Sequence, residues 1–249
     1  MRTTGRLGLP VGLLGAILVA HGAPGTLLLP TFAAHQPVSL PGGWCRWRGP
    51  RHSGALALTF DDGPSPDTCT TLDILAETGM HATFFLLGAQ MRAHPNLVRR
   101  IAHEGHEIAS HGDQHFHHLL SGPAAVIADL SRALETHTAL LGHPPRFYRP
   151  TYGQVSMATL ITARRLEVEM VLWSRWGREF AERHPAPVLE RLAPGLTPGA
   201  IVLLHDTDVT ARPGTAALTQ RVLGPLSGLL EDRDLEAVTL SQLVGERAS

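Results

Sequence analysis

The sequence predicts an α/β fold, a parallel sheet curled into a distorted (β/α)7-type barrel, formed by a single domain after an apolar N-terminal segment. The first observation is that short apolar runs alternate with helix-like runs from residue 55 onwards, which is typical of parallel βα units. The second is that about seven such units follow one another in a chain of 249 residues. Seven units in this length fit one closed or nearly closed barrel better than two domains.

Each predicted strand is a short apolar run bounded by turn residues. The candidates are 55–59, 82–87, 107–110, 146–149, 169–173, 200–204 and 236–240. The predicted helices between them are 65–79, 95–104, 123–141, 157–165, 186–192 and 216–230. Ser65 followed by Pro66 is typical of a helix start, and Gly79 and Gly142 stand where their helices are expected to end.

The N-terminal residues predict export. Two arginines, Arg2 and Arg6, precede an uncharged apolar run from residue 7 to 20, and small residues follow as in a signal-peptide cleavage site. Apolar character resumes to residue 34, and a bilayer span needs ~20 such residues. We therefore expect residues 1–34 to be a signal peptide or membrane anchor, 35–53 a linker and 54–249 the folded domain. The expected location is extracytoplasmic, either secreted or anchored to the cell membrane.

Composition limits the classes of function. The chain has 22 acidic residues against 21 Lys and Arg, for a formal charge of -1, which gives no support to nucleic-acid binding by bulk electrostatics. The 15 histidines, several of them between residues 103 and 118, suggest metal or acid–base chemistry. The two cysteines, Cys45 and Cys69, have no metal-binding spacing. Pairing between them and two free thiols both remain open.

Polar and aromatic side chains gather where the predicted strands end. In a parallel α/β barrel these ends converge on one face, where active sites lie. The residues at these ends are Asp61, Asp62, His111, His115, Arg149, Trp173, His205 and Asp206. Each one alone has an ordinary structural explanation, such as an acidic turn or a buried histidine. Their shared position predicts a single site.

The two adjacent carboxylates predict a metal. Neighbouring side chains on an extended segment point in opposite directions, so Asp61 and Asp62 can have different roles, such as base and ligand. Two buried like charges repel each other unless a cation lies between them. His111 and His115 have the i, i+4 spacing that places both rings on one side of a helical turn. Two histidines and one carboxylate leave open positions on a metal, as in catalytic zinc sites.

These residues and spacings resemble the polysaccharide deacetylase, or NodB-homology, family of metal-dependent carbohydrate esterases. The resemblance covers roughly residues 55 to 244. Its motifs are Thr59-Phe60-Asp61-Asp62-Gly63, the pair His111 and His115, Arg149-Pro150-Thr151-Tyr152-Gly153, and Leu203-Leu204-His205-Asp206. The combination is specific, although each motif alone is not.

The resemblance implies a role for each site residue. Asp61 is then the catalytic base, Asp62, His111 and His115 hold the metal, and His205 is the general acid. The remaining implied residues are Arg149, which orients the base, and Tyr152, whose backbone N–H helps to bind the oxyanion.

The implied activity is hydrolysis of acetyl groups from N-acetylated or O-acetylated sugars of a cell-wall or extracellular polysaccharide, by a water molecule that the metal activates. The enzyme would be a hydrolase of carbon–nitrogen bonds other than peptide bonds. Zinc is the first choice of metal, with cobalt, nickel, manganese and iron as alternatives. The expected partner is a polysaccharide or oligosaccharide substrate.

The sequence departs from the family pattern at three places. Gly112 stands where the second motif usually has Ser or Thr, and Thr151 stands where the third has Pro. In the fourth motif Glu179 and Phe180 take the places of an Asp that pairs with the arginine and a Trp that lines the pocket. We therefore expect Trp173, Glu179 and Phe180 in the substrate pocket.

Three other functions remain open. An amidohydrolase of the same fold acting on a small cyclic or ureido amide is favoured by Gly112. A sugar-binding or catalytically weak cell-wall member is favoured by the altered fourth motif. A non-haem iron oxygenase also uses two histidines and one carboxylate, but its sites are usually found in all-β folds.

Overall fold

The structure is a computed structural model that describes residues 45–118 and 120–245. The predicted signal peptide or anchor, and most of the predicted linker, lie outside these residues. Within the described ranges, none of the helices combines the length and the apolar character that crossing a membrane requires. Cys45 and Cys69 are free thiols.

The described residues form one curled sheet in which neighbouring strands run parallel. The strands are β1 Cys45–Arg46, β2 Ala55–Asp61, β3 Thr83–Leu86, β4 Glu107–Ser110, β5 Phe147–Tyr148, β6 Glu169–Val171, β7 Arg175–Trp176, β8 Ile201–His205 and β9 Glu236–Val238. Their order is β1-β6-β5-β4-β3-β2-β8-β7, with β9 beside the start of β2. Arg48, just after β1, forms an antiparallel bridge to Ala200, just before β8. This bridge brings one side of the sheet back towards the other and confirms the barrel-type fold.

Helices pack on the outside of the sheet. They are α1 Thr68–Thr78, α2 Gly88–Ala93, α3 Pro95–His103, α4 Pro123–Leu141, α5 Met157–Arg165, α6 Pro185–Leu192, α7 Thr215–Glu231 and α8 Leu240–Val244. Short 3-10 turns occur at Thr151–Gly153, Glu179–Ala181 and Ala193–Gly195. Helix α4 ends where the sequence predicts, because Gly142 takes a left-handed conformation (φ 82°) and donates its N–H to the carbonyl of Thr138.

The structure differs from the predicted elements at several places. Helix α1 begins at Thr68, with Asp67 as its N-cap residue, and not at Ser65 and Pro66. Strands β1 and β7 have two residues each, too few for any periodicity to reveal, and β1 lies in the predicted linker. The predicted strand 236–240 stops at Val238, because Thr239 caps the following helix by accepting the amide of Gln242. The six-residue helix α2 was not predicted.

Alternation along β2 determines which side chains reach the active face. All seven residues of the strand are buried, as expected of a parallel strand covered on both faces. Leu56, Leu58 and Phe60 belong to the cluster packed against the helices. Ala57 belongs to a second cluster formed mainly by other strands, inside the curl of the sheet. The same period places Asp61 at the inner end of the strand.

Candidate active site

Asp61 is held by a buried arginine that reaches across the inside of the barrel. Nη1 of Arg149 lies 2.6 Å from Asp61 Oδ1 and also donates to the hydroxyl of Thr59 at 2.9 Å. The other guanidinium nitrogens donate to the carbonyls of Val171 and Leu172 at 3.3 and 3.2 Å. Arg149 is fully buried. Three of these four hydrogen bonds fix the planar guanidinium, and the fourth orients the Asp61 carboxylate.

Asp62 points into the same cavity as Asp61, which corrects the expectation of opposite directions. The strand ends at Asp61, and Asp62 adopts a left-handed backbone with φ 77°. This turn brings its side chain back to the cavity that Asp61 lines. A non-glycine residue in this conformation carries strain of order 1–3 kcal/mol, which is common at functional sites. The hydroxyl of Thr210 donates to Asp62 Oδ2.

Asp62, His111 and His115 form a compact group of ligand atoms. Asp62 Oδ1 lies 3.1 Å from Nε2 of His111 and 3.4 Å from Nε2 of His115, and the ligand atoms lie within 4.8 Å of one another. Nδ1 of His111 donates to the carbonyl of Arg149 at 2.8 Å, which leaves Nε2 as the ring nitrogen that can bind a cation. Among the described residues, buried Asp62 Oδ1 has no hydrogen-bond partner. The group therefore fits a divalent cation.

The protonation of these groups agrees with a cation site. Burial would raise the pKa of Asp62, but His111, His205 and His115 hold it well below its usual range. Burial lowers the pKa of His115 to about 4, so its ring is neutral at pH 7. Burial would also lower the pKa of His111, but the carboxylates of Asp61 and Asp62 raise it.

His205 stands at the end of β8 and is paired with Glu179. Nδ1 of His205 lies 2.5 Å from Glu179 Oε1, and Nε2 faces Asp62 Oδ2 at 3.8 Å. Burial would lower the pKa of His205, but the charge of Glu179 and its hydrogen bond raise it to about 10. Glu179 is fully buried and contacts neither the cavity nor Arg149. This corrects the pocket assignment of Glu179, and it shows that the partner of Glu179 is His205.

The site residues surround one cavity of about 510 Å³. Its walls include the predicted Asp61, Asp62, His111, His115, Tyr152, Trp173, Phe180 and His205. The wall residues that the sequence did not single out are Gly153, Trp176, Leu203, Thr210, Ala211 and Arg212. An aromatic series runs along one side, with ring centroids 5.7 Å apart for Trp173 and Trp176 and 5.4 Å apart for Trp176 and Phe180.

Tyr152 closes another side of the cavity through its ring. The ring lies parallel to that of His117 at 3.9 Å and packs against His115 at 4.3 Å. Its backbone is left-handed, with φ 57°, and the side chain is half-exposed. The cavity thus has charged groups at its base and aromatic rings at its rim.

Fold and site together define an α/β-barrel protein whose paired carboxylates and three histidines meet in one cavity at the carboxyl ends of the strands. The chain belongs to the polysaccharide deacetylase family, the NodB-homology family 4 carbohydrate esterases. A family model described as polysaccharide deacetylase matches residues 48–171, and related deacetylases match along most of the chain.

Three relatives illustrate the similarity. The chain is 35% identical to a chitooligosaccharide deacetylase of Bradyrhizobium over 204 residues, 76% of this chain and 90% of that protein. It is 33% identical to the peptidoglycan-N-acetylglucosamine deacetylase PgdA of Listeria monocytogenes over 77% of its own length, but spans 39% of that protein. The crystal structure of the Bc1960 peptidoglycan N-acetylglucosamine deacetylase superposes with a TM-score of 0.75 at 28% identity, covering 82% of this chain and 97% of the other.

Proposed function

We propose that this protein is a metal-dependent deacetylase that removes the acetyl group from N-acetylglucosamine units of a cell-wall or extracellular polysaccharide. The observation that carries the proposal is the convergence of Asp61, the Asp62–His111–His115 group and His205 on one cavity. The printed activities of the relatives, on chitooligosaccharides and on peptidoglycan N-acetylglucosamine, support an N-acetyl sugar.

Asp62, His111 and His115 would hold one divalent ion. Two imidazoles and one carboxylate match a catalytic zinc site with open positions for water and substrate. Zinc is our first choice, although cobalt, nickel, manganese and iron accept the same ligands. When bound, such an ion polarises the acetyl carbonyl and makes a nearby water more acidic.

Asp61 and His205 then perform opposite proton transfers. Asp61 removes a proton from the attacking water, and Arg149 keeps the carboxylate aimed at that water. His205, protonated because of Glu179, donates a proton to the amine nitrogen as the carbon–nitrogen bond breaks. The backbone N–H of Tyr152 stabilises the negative oxygen that develops on the acetyl carbon. Water and amide are thereby converted to acetate and a free amino sugar.

The cavity rim favours a sugar over a small heterocyclic amide. Trp173, Trp176 and Phe180 present extended apolar surface beside the charged base of the site, and aromatic faces give large contact area with little loss of side-chain freedom. A cell-wall or extracellular polysaccharide lies outside the cytoplasm, which is where residues 1–34 are expected to direct the protein. Secretion and anchoring through that segment both agree with the proposal.

A substrate panel tests the proposal. Protein stripped with a chelator and reloaded with zinc or cobalt is offered N-acetylglucosamine oligomers, peptidoglycan fragments, acetylated xylan and a small cyclic amide. We expect acetate release from the N-acetylated glycans, abolished by the chelator and restored by the metal. Release from xylan alone would make the enzyme an O-deacetylase, and turnover of the cyclic amide alone would favour an amidohydrolase. No turnover of any substrate by reloaded protein would contradict an enzymatic function.

A further inference from the structure

The loop that carries His111 and His115 lacks the side chain that its family pattern leads one to expect. Gly112 follows the first histidine where Ser or Thr is usual, so no side-chain hydroxyl is available at this position to brace the loop. Gly112 adopts φ +91°, a conformation that side-chain-bearing residues rarely take. Some other group must therefore fix the two imidazoles relative to Asp62.

Asp129 lies in the second turn of α4, and its carboxylate contacts this loop. Its Oδ2 accepts the N–H of Asp113 at 3.0 Å, and its Oδ1 accepts the N–H of Gln114 at 2.9 Å. These two amides lie in the short stretch between the two histidines. Asp129 is buried, and the bond to the Asp113 amide is shielded from water while the bond to the Gln114 amide is partly shielded. A carboxylate acceptor makes such bonds charge-assisted.

The glycine and the carboxylate occupy adjoining space. A Cβ built on Gly112 would lie 2.6 Å from Asp129 Oδ2, closer than real Cβ atoms approach an oxygen. A side chain at position 112 would therefore push Asp129 away from the loop amides. The absence of a side chain at Gly112 is therefore what allows the Asp129 carboxylate to bind the loop amides.

The opposite side of the loop is held independently. The amides of Gly88 and Ala89 donate to the carbonyls of Gly112 and Asp113 at 2.9 and 3.1 Å. Arg92 binds both carboxylate oxygens of Asp113, at 2.6 and 3.1 Å. Before the loop, Ser110 Oγ accepts the Gly112 amide at 3.3 Å. Asp129 adds two further hydrogen bonds, to amides that lie between the two histidines.

We propose that Asp129 is the positioning residue of the metal-binding loop, and that Gly112 is the residue whose small size gives the Asp129 carboxylate access to it. This inference rests on the proposed function, because it assumes that His111 and His115 bind a divalent cation. Asp129 acts through the backbone of the loop, and it touches neither the substrate nor the ligand atoms. Partners of this kind, one shell away from a metal, typically change metal affinity by 10–100-fold.

The test is zinc affinity, measured by competition with a chelator on folded protein. We expect Asp129→Ala to bind zinc about tenfold more weakly, with a reduced kcat and an unchanged KM at saturating zinc. Asp129→Asn, which keeps one acceptor oxygen, should lie between Asp129→Ala and wild type. It also keeps the test valid if the alanine variant does not fold.

Glu107→Gln is the matched control. The Glu107 carboxylate accepts the Ser241 amide at 3.1 Å and the hydroxyls of Thr83 and Ser241, at the other end of β4 from the histidines. We expect this variant to lower Tm without changing zinc affinity. If Asp129→Asn and Asp129→Ala also lower Tm without changing zinc affinity, Asp129 is merely structural and the inference is overturned.

A double variant tests the link with Gly112. Gly112→Ala should weaken zinc binding in the wild-type background, and it should add less to the loss in the Asp129→Ala background, because the clashing oxygen is gone. If the losses of zinc affinity in Gly112→Ala and Asp129→Ala are fully additive in the double variant, the steric conflict between position 112 and Asp129 is contradicted. Absence of zinc binding by wild-type protein would instead remove the proposed function itself, so the two failures are distinguishable.

Discussion

Glu179 lies fully buried behind His205, with its Oε1 atom 2.5 Å from His205 Nδ1. A glutamate is one methylene longer than the aspartate usual in this motif. This side chain extends from the 3-10 turn Glu179–Ala181 to the ring of His205. The pair keeps the imidazole protonated and points Nε2 at the cavity. Glu179 is thus the residue that raises the pKa of His205, the acid of the proposed reaction.

Glu179→Gln should therefore change the pH profile. The carboxylate raises the pKa of His205 to about 10 against the lowering effect of burial, so its removal lowers that pKa and the acid form is lost at lower pH. We expect the alkaline limb of the kcat profile to move down by about one pH unit or more. Glu182→Gln, which removes a half-exposed partner of Arg191 nearby, should leave the limb in place. An unmoved limb in Glu179→Gln would show that His205 is not the acid.

Arg149→Met should destabilise the protein strongly. It leaves the buried Asp61 carboxylate without its cation, and breaking a buried pair in this way costs about 3–5 kcal/mol. Adding Asp61→Asn to Arg149→Met should restore part of the free energy of unfolding. The control is Arg46→Met, whose ion pair with Glu169 is partly exposed and is worth about 0–1 kcal/mol. The free energy of unfolding is measured with denaturant. Equal losses for Arg149→Met and Arg46→Met would contradict the burial of the Arg149–Asp61 pair.

Thr210→Val should weaken metal binding. The Thr210 hydroxyl donates to Asp62 Oδ2 and so leaves Oδ1 as the oxygen directed at the two histidines. We expect about tenfold lower zinc affinity, measured by chelator competition. Thr138→Val removes a comparable hydroxyl, bonded to the carbonyl of Leu134 on α4, and should not change the affinity. Wild-type affinity in Thr210→Val would rule out this contact in the metal-bound protein.

Trp176→Ala should affect substrate binding more than chemistry. Trp176 lies between Trp173 and Phe180 on the cavity wall. The guanidinium of Arg178 lies 5.8 Å from the centroid of the Trp176 ring, outside the group of proposed ligands. We expect KM for N-acetylglucosamine oligomers to rise about tenfold with kcat nearly unchanged, the signature of lost uniform binding. Trp47→Ala, which removes a tryptophan outside the cavity, should leave KM unchanged. A drop in kcat with constant KM would place Trp176 in the chemical step instead.

Much of the fold and the first layer of the site could be predicted from sequence. Strand β4 and helices α4 and α5 begin and end at the predicted residues, because their apolar periods and end signals are strong. Asp61, Asp62, His111, His115 and His205 line one cavity as the strand-end rule requires. Their roles remain proposals.

The second layer could not be predicted, because it depends on tertiary distances. Nothing near Asp129 in the sequence shows that α4 passes beneath the histidine loop. The partner of Glu179 depends on a 26-residue separation closed only in the folded barrel. The direction of Asp62 follows from a left-handed backbone that strand alternation does not predict. Thr210 comes from a loop with no regular pattern.

The central claim is that the adjacent carboxylates have different roles, Asp61 as the base and Asp62 as a metal ligand. It is tested most directly by measuring bound zinc and acetate release on the same preparations of Asp61→Asn and Asp62→Asn. We expect Asp61→Asn to keep one zinc per chain and to lose about 10²–10⁴-fold in rate, and Asp62→Asn to lose the zinc as well. Acetate release by Asp61→Asn at the wild-type rate, or loss of zinc from it equal to that from Asp62→Asn, would contradict the claim.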